Sequence, residues 1–234
     1  MDYTTYVSEL ANMMVVPTTD PNFQTVLTNI ITDAEQRIYR ELDLVDTQVT
    51  DSSAATASNR NFSLPTNLGT YIVVDQVNVL SSAGTTSSNG TRNPVMPVAR
   101  EFIDAAYPSG QTLTGVPQFF CRANSSSLIF GPAPDANYTV EVVGTQRPTP
   151  LSSVNSSTFL TQNLPDLFFA ASMVFASAYQ RDFGAQADNP AQAQSWEAHY
   201  NTLLQSAKSE ENRKKYEGQS WTSQSQTDAQ PPRV

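Results

Sequence analysis

Few residues in this 234-residue chain could carry chemistry, and their types and spacing limit what that chemistry would be. The one histidine, His199, and the one cysteine, Cys121, fall in stretches of different pattern. A catalytic triad or a histidine general base needs a nucleophile within reach, and zinc needs several Cys or His ligands. His199, beside Trp196 and Tyr200, reads as a surface or rim residue, and no metal or cofactor is expected. Gly144-Thr-Gln-Arg-Pro148 lacks the Gly-Lys-Ser/Thr ending of a phosphate-cradling loop. Asp75 and Glu141, both on expected strands, are the one suggestive carboxylate pair for glycoside hydrolysis, but paired carboxylates on strands usually face solvent. The expectation is a protein that is not an enzyme.

Charge narrows the partners. The net charge is −9, with nine acids against Arg37 and Arg40 in residues 1–51 and an even balance of five acids and five arginines in residues 52–150. Affinity for nucleic acid comes largely from cations that displace condensed counterions, and no basic patch of that size exists, so specific nucleic-acid binding is not expected. The acidity reads either as a solvated, mildly repulsive surface or as a lining to which DNA does not stick. Met1-Asp2-Tyr3-Thr4 opens no basic, then apolar, leader, so no signal peptide is expected, and the lone cysteine fits a reducing compartment.

The elements that must position these residues are legible from periodicity. Tyr3, Val7, Leu10 and Met14 mark a short helix, and Asp20-Pro21 is a cap-plus-proline start for a second, striped by Phe23, Leu27, Ile30, Ile31, Ala34, Ile38 and Leu42. From Val49 the pattern becomes β-prone. Residues 51–58 read as a polar loop, Phe62–Leu64 and Tyr71–Leu80 as strands, residues 81–93 as an exposed hairpin loop, and Ala99–Tyr107 as a short helix. A hairpin is expected from 118–122 and 127–130, and a last strand over Tyr138–Val143. Pro165 then opens a helix that is apolar or small on every side from Leu167 to Tyr179, so it needs partners on more than one face. It is either the central helix of a subunit core or a helix at a subunit interface, and it falls short of the roughly 20 residues that cross a bilayer. Gly184 closes it, and Asn189-Pro190 starts an amphipathic helix carrying Ala193, Trp196, Tyr200, Leu203, Leu204 and Ala207, with Glu210 and Glu211 four residues before Lys214 and Lys215. Beyond Gly218 the sequence is too polar to fold alone, with Trp221 as the one aromatic, and is expected to be disordered.

The strand Tyr138–Val143, the run Gly144-Thr-Gln-Arg147-Pro148-Thr-Pro150-Leu151-Ser152, Leu164-Pro165-Asp166-Leu167 and the helix ending Ala178-Tyr179-Gln-Arg181 resemble the head-to-tail adaptor (connector) proteins of tailed bacteriophages. Asp33-Ala-Glu-Gln-Arg-Ile-Tyr-Arg40 looks similar too. The resemblance implies an α+β protein in which helices from both chain ends, residues 1–46 and 151–217, form a helical bundle around a β-rich insertion, residues 47–150, with a flexible tail at 218–234. It implies a structural virion protein at the head-tail junction, assembled in the host cytoplasm. There it would form a homo-oligomeric ring, commonly of twelve, that binds the portal protein and a tail or nozzle protein and lines the DNA channel. Phe168, Phe169, Met173 and Phe175 are then the subunit-interface candidates, and Arg213, Lys214, Lys215, Tyr216 and Trp221 the portal-binding ones. The rival reading is a β-sandwich tail or receptor-binding module whose Ser/Thr/Asn loops make the binding surface.

Overall fold

A computed structural model describes residues 1–81, 90–109, 113–179 and 190–218. The expected hairpin tip, the Gly184 to Asn189 turn and the tail with Trp221 lie wholly or mostly outside them. Six α-helices are present among the described residues: α1 (Tyr3–Met14), α2 (Pro21–Glu41), α3 (Arg100–Ala106), α4 (Phe159–Asn163), α5 (Pro165–Tyr179) and α6 (Pro190–Gly218). The chain divides into two compact units, Met1–Asp46 with Pro150–Val234, and Thr47–Thr149.

In the first unit the helix ends are set by local chemistry. The Asp2 carboxylate accepts from the Thr5 N–H, and the Asp20 carboxylate accepts from the N–H groups of Asn22 and Phe23 while Pro21 takes the first helical position. Thr158 and Thr161 form a reciprocal capping box at α4. Each cap satisfies backbone donors that a helix start leaves open. The α2 stripe is buried as its periodicity predicts. Around α5 pack α1, α2, α4 and α6, and for this reason no side chain from Leu167 to Ser177 is exposed. Phe168 stacks on Tyr6 with ring centroids 4.6 Å apart, and the Tyr6 hydroxyl lies 2.6 Å from Ser172 Oγ and donates to the Phe168 carbonyl at 3.1 Å. The helix that is apolar on every side thus finds its partners inside its own subunit.

The second unit is built from β1 (Gln48–Ala55), β2 (Asn61–Ser63), β3 (Gly69–Ser81), β4 (Thr91–Pro97), β5 (Thr114–Gly115), β6 (Phe119–Arg122), β7 (Ser127–Gly131), β8 (Ala133–Pro134) and β9 (Tyr138–Pro148). Seven strands make one sheet in the order β1-β9-β3-β4-β6-β7-β2, and β5 pairs with β8 separately. Its edges nearly meet, because Ser53 Oγ of β1 donates to the Ser63 carbonyl of β2 at 3.3 Å, so the sheet is a nearly closed barrel. Val77, Val79, Val140 and Val142 fill its core with Phe62, Leu128 and Phe130. The sheet is mixed, since β4 and β6 run parallel. A parallel pair cannot be joined by a tight turn, and α3 lies in the crossover between them. At the β3 bulges the backbones crowd: a Cβ on Gly144 would lie 2.2 Å from the Val73 carbonyl oxygen.

This architecture corrects the expected α+β layout of a helical bundle from the two chain ends around a β-rich insertion. The sheet is mixed and nearly closed, and the six helices are scattered through the chain order, α3 falling inside the sheet-forming stretch. A single curled sheet also replaces the rival β-sandwich. Most of the expected polar loop at residues 51–58 is strand β1, in register with β9 from Gln48 opposite Thr145 to Ala55 opposite Tyr138. Ser, Thr and Ala supply little apolar signal there. Backbone pairing to β9 forms the strand without one.

Candidate functional site

No cluster of catalytic residue types is found among the described residues, and the candidate functional surfaces are those of α5, α6 and the helix ends they meet. The N-terminal half of α6 is braced to α2. Arg37 donates from both terminal nitrogens to Glu197, at 2.8 and 2.6 Å, and from Nε to Glu41 at 3.0 Å. Its guanidinium lies 4.2 Å from the centre of the Tyr200 ring, whose hydroxyl donates to Glu41 at 2.8 Å. Hydrogen bonding to Arg37 holds the Glu197 carboxyl below its usual range, and burial raises the Tyr200 hydroxyl. The fork geometry fits a carboxylate bidentately, so this group is a brace and leaves no free cation for a ligand.

The C-terminal half of α6 holds the predicted portal-binding cluster. Glu211 is buried, accepting from the Val45 N–H at 3.0 Å and from Lys214 at 2.7 Å. Lys214 also pairs with Glu210 at 2.8 Å and sits 5.5 Å over the Phe159 ring, and the two carboxylates raise its ammonium above the ordinary lysine range. Lys215 turns away from Glu211, its expected partner, and pairs with Asp43. Lys214 and Lys215 are therefore neutralised within the subunit. Arg213 is exposed and so is Tyr216, at 66 %; Trp221 lies outside the described residues.

Of the predicted interface residues, Phe168 and Met173 are consumed by the subunit's own core, while Phe169 and Phe175 are half-buried. Phe169 meets Tyr6 and Trp196 edge-on, at 6.0 and 6.4 Å. The residues with chemical potential stay apart. His199 is exposed with its ring against Trp196, and Cys121 is buried with Ile103 and Ile129, its thiol pushed up by burial. Asp75 is exposed in a β3 bulge, while Glu141 is buried and bound by Arg92 at 2.8 and 3.0 Å and by Asn78 at 3.0 Å. Among the described residues no group of His, Cys, Asp or Glu is placed to hold a metal ion, and no helix is long and apolar enough to cross a membrane.

Of the buried acids Glu35, Glu141 and Glu211, the one that sequence reading passed over is Glu35. Glu35 stands four residues after Ile31 and three before Ile38, on the face that α2 buries, and that spacing is its signal. The Val45 contact that helps bury Glu211 and the Arg37–Glu197 pair have no such signal, since they join opposite ends of the chain.

With the geometry described, comparison with known proteins identifies the class. The model of the SU10 adaptor protein family matches residues 1–227, nearly the entire chain, and the protein belongs to that family. It is a structural adaptor of a tailed bacteriophage, a component of the virion that works among portal and tail proteins. Among curated proteins none matches the chain.

Proposed function

We propose that this adaptor forms a closed homomeric ring, twelve subunits by the family resemblance, that joins the portal to the tail and surrounds the DNA path. The carrying observation is the family match over residues 1–227. The acid-rich first 51 residues support it, because a channel through which DNA slides must not bind the phosphate backbone. Heterologous contacts that close on themselves give rings, and the half-buried flank of α5 at Phe169 and Phe175 is the place proposed for the neighbouring subunit. The C-terminal extension is proposed to reach the portal with Trp221 as apolar anchor. Since Lys214 and Lys215 are paired internally, Arg213 and Tyr216 carry the proposed polar contact.

Native mass spectrometry of the adaptor bound to portal tests the ring: twelve copies per portal are expected, and one or two would sink it. A chain ended at Gly218 is expected to keep its helical content and bind portal more weakly, with Trp221→Ala showing a smaller loss. Burial of an indole is worth roughly 2–3 kcal/mol, more than tenfold in a dissociation constant. Unchanged docking by the truncated chain would assign attachment to the helices instead.

A further inference from the structure

Glu35 is the one acid on the buried face of α2, 2 % exposed, among Ile31, Ala34 and Ile38. One carboxyl oxygen accepts from the Leu151 N–H at 3.1 Å; the other, Oε2, is buried and has no hydrogen-bond partner. No lysine or arginine pairs with it among the described residues. The titratable groups that face it are two phenols, Tyr6 from α1 and Tyr39 one turn further along α2, with Glu9 acting on Tyr6 and Asp46 on Tyr39. Both phenols are themselves raised, mainly by burial. From α5 the nearby polar group is Ser172, already joined to the Tyr6 hydroxyl, and it does not titrate. A carboxylate with one bond and no counter-cation is poorly solvated in such a place, and a neutral carboxyl group costs much less there even with its O–H unpaired.

We propose that Glu35 is a proton-operated latch between α2 and the Pro150–Leu151 segment. With a proton on Oε2 the carboxyl group is neutral and Oε1 still accepts from Leu151. When the proton leaves, the buried charge favours opening of this contact so that water can reach Oε2. Burial pushes the carboxyl up to about 7, so the latch works near neutrality. The sign follows from linkage: a carboxyl raised in the folded state stabilises the fold fully below its unfolded value, near 4.5, and that contribution is lost as pH rises through about 7. The segment held is the one by which the chain returns from β9 to the helical unit. Proton release is therefore expected to loosen the helical unit at this return point first.

Denaturant unfolding of the full chain and of Glu35→Gln, measured from pH 5 to pH 8, tests the latch, because glutamine keeps the acceptor for Leu151 and carries no charge. The folding constant of the variant relative to the wild type is expected to rise about 100-fold over that range, at tenfold per pH unit of differential protonation. A ratio that does not change with pH overturns the proposal. Should the variant not fold, a carboxyl-carbon NMR titration of the wild type labelled at glutamate decides: one resonance with a midpoint near neutrality supports the latch, and titration of every glutamate below pH 5 overturns it. Amide exchange at Leu151 that quickens from pH 6 to pH 8 beyond the intrinsic chemical rate adds support.

Discussion

The helical unit and the sheet unit hold themselves together by different means. Helices around α5 close over large apolar side chains, with Tyr6, Leu10, Ile30, Ile38, Phe168 and Tyr200 fully buried, and add long-range polar contacts such as Arg37 to Glu197. The sheet packs valines beside Phe62, Leu128 and Phe130 and adds long backbone ladders, above all β3 with β9 and β9 with β1. Charge is divided the same way. Residues 47–149 carry six acids against five arginines, so nearly all of the −9 resides in the helical unit. Packed volume is thus common to both units, and close backbone spacing is added in the second, so substitutions of opposite kinds should expose each.

The largest effect is expected from Phe168→Ala. It removes the ring stacked on Tyr6 at the centre of the helical unit, and large-to-small changes at such sites cost about 3–5 kcal/mol. Amide exchange should quicken in α1, α2 and α5. If β3 and β9 keep their protection, the units have separate stabilities; equal loss in both would show a single cooperative fold and break the comparison.

Next comes Gly144→Ala, where one methyl is added instead of a ring removed. The new Cβ must displace the Val73 carbonyl from 2.2 Å, and the contact is backbone, which cannot rotate away. A loss of about 1–3 kcal/mol is expected in urea unfolding, with exchange quickened along β3 and β9. An unchanged midpoint would show that the bulged β3 yields freely and that spacing does not govern the sheet.

A smaller loss, about 1 kcal/mol, is expected for Thr158→Ala, which removes half of the capping box at α4. Thr158→Ser keeps the hydroxyl and should restore most of it. Failure of serine to do so would assign the effect to the buried methyl group.

Legibility followed the same division. The helical elements were readable because their signals are local: Asp20-Pro21 starts α2, Pro165 starts α5, and the apolar surround of α5 announced partners on more than one face. Strand β1 was not, because its sequence is polar and its partner β9 begins more than 80 residues later. The parallel β4–β6 pair and the near closure through Ser53 and Ser63 are likewise long-range facts that no local pattern encodes. Among the functional candidates, the i,i+4 pair Glu210–Lys214 was readable, whereas Lys215 found Asp43, 172 residues away. Phe168 and Met173 were recognised as apolar, but burial by α1, α2, α4 and α6 and burial by a second subunit look alike in a sequence.

The smallest effect concerns the brace between α2 and α6, and it asks whether charge adds to the helical unit or merely decorates it. Arg37 and Glu197 make two short hydrogen bonds, and Glu41 and Tyr200 extend the group, so the geometry is favourable. Both side chains nevertheless keep contact with water, at 18 and 39 % exposure, and solvent screens a pair placed this way. A double-mutant cycle with Arg37→Met and Glu197→Gln is therefore expected to give a coupling below about 1 kcal/mol that shrinks further in 1 M salt. Methionine preserves much of the aliphatic stem that covers Tyr200, so loss of packing should not imitate loss of charge. A coupling well above that, insensitive to salt, would mean that the pair is effectively buried and that the helical unit depends on charge as well as on volume.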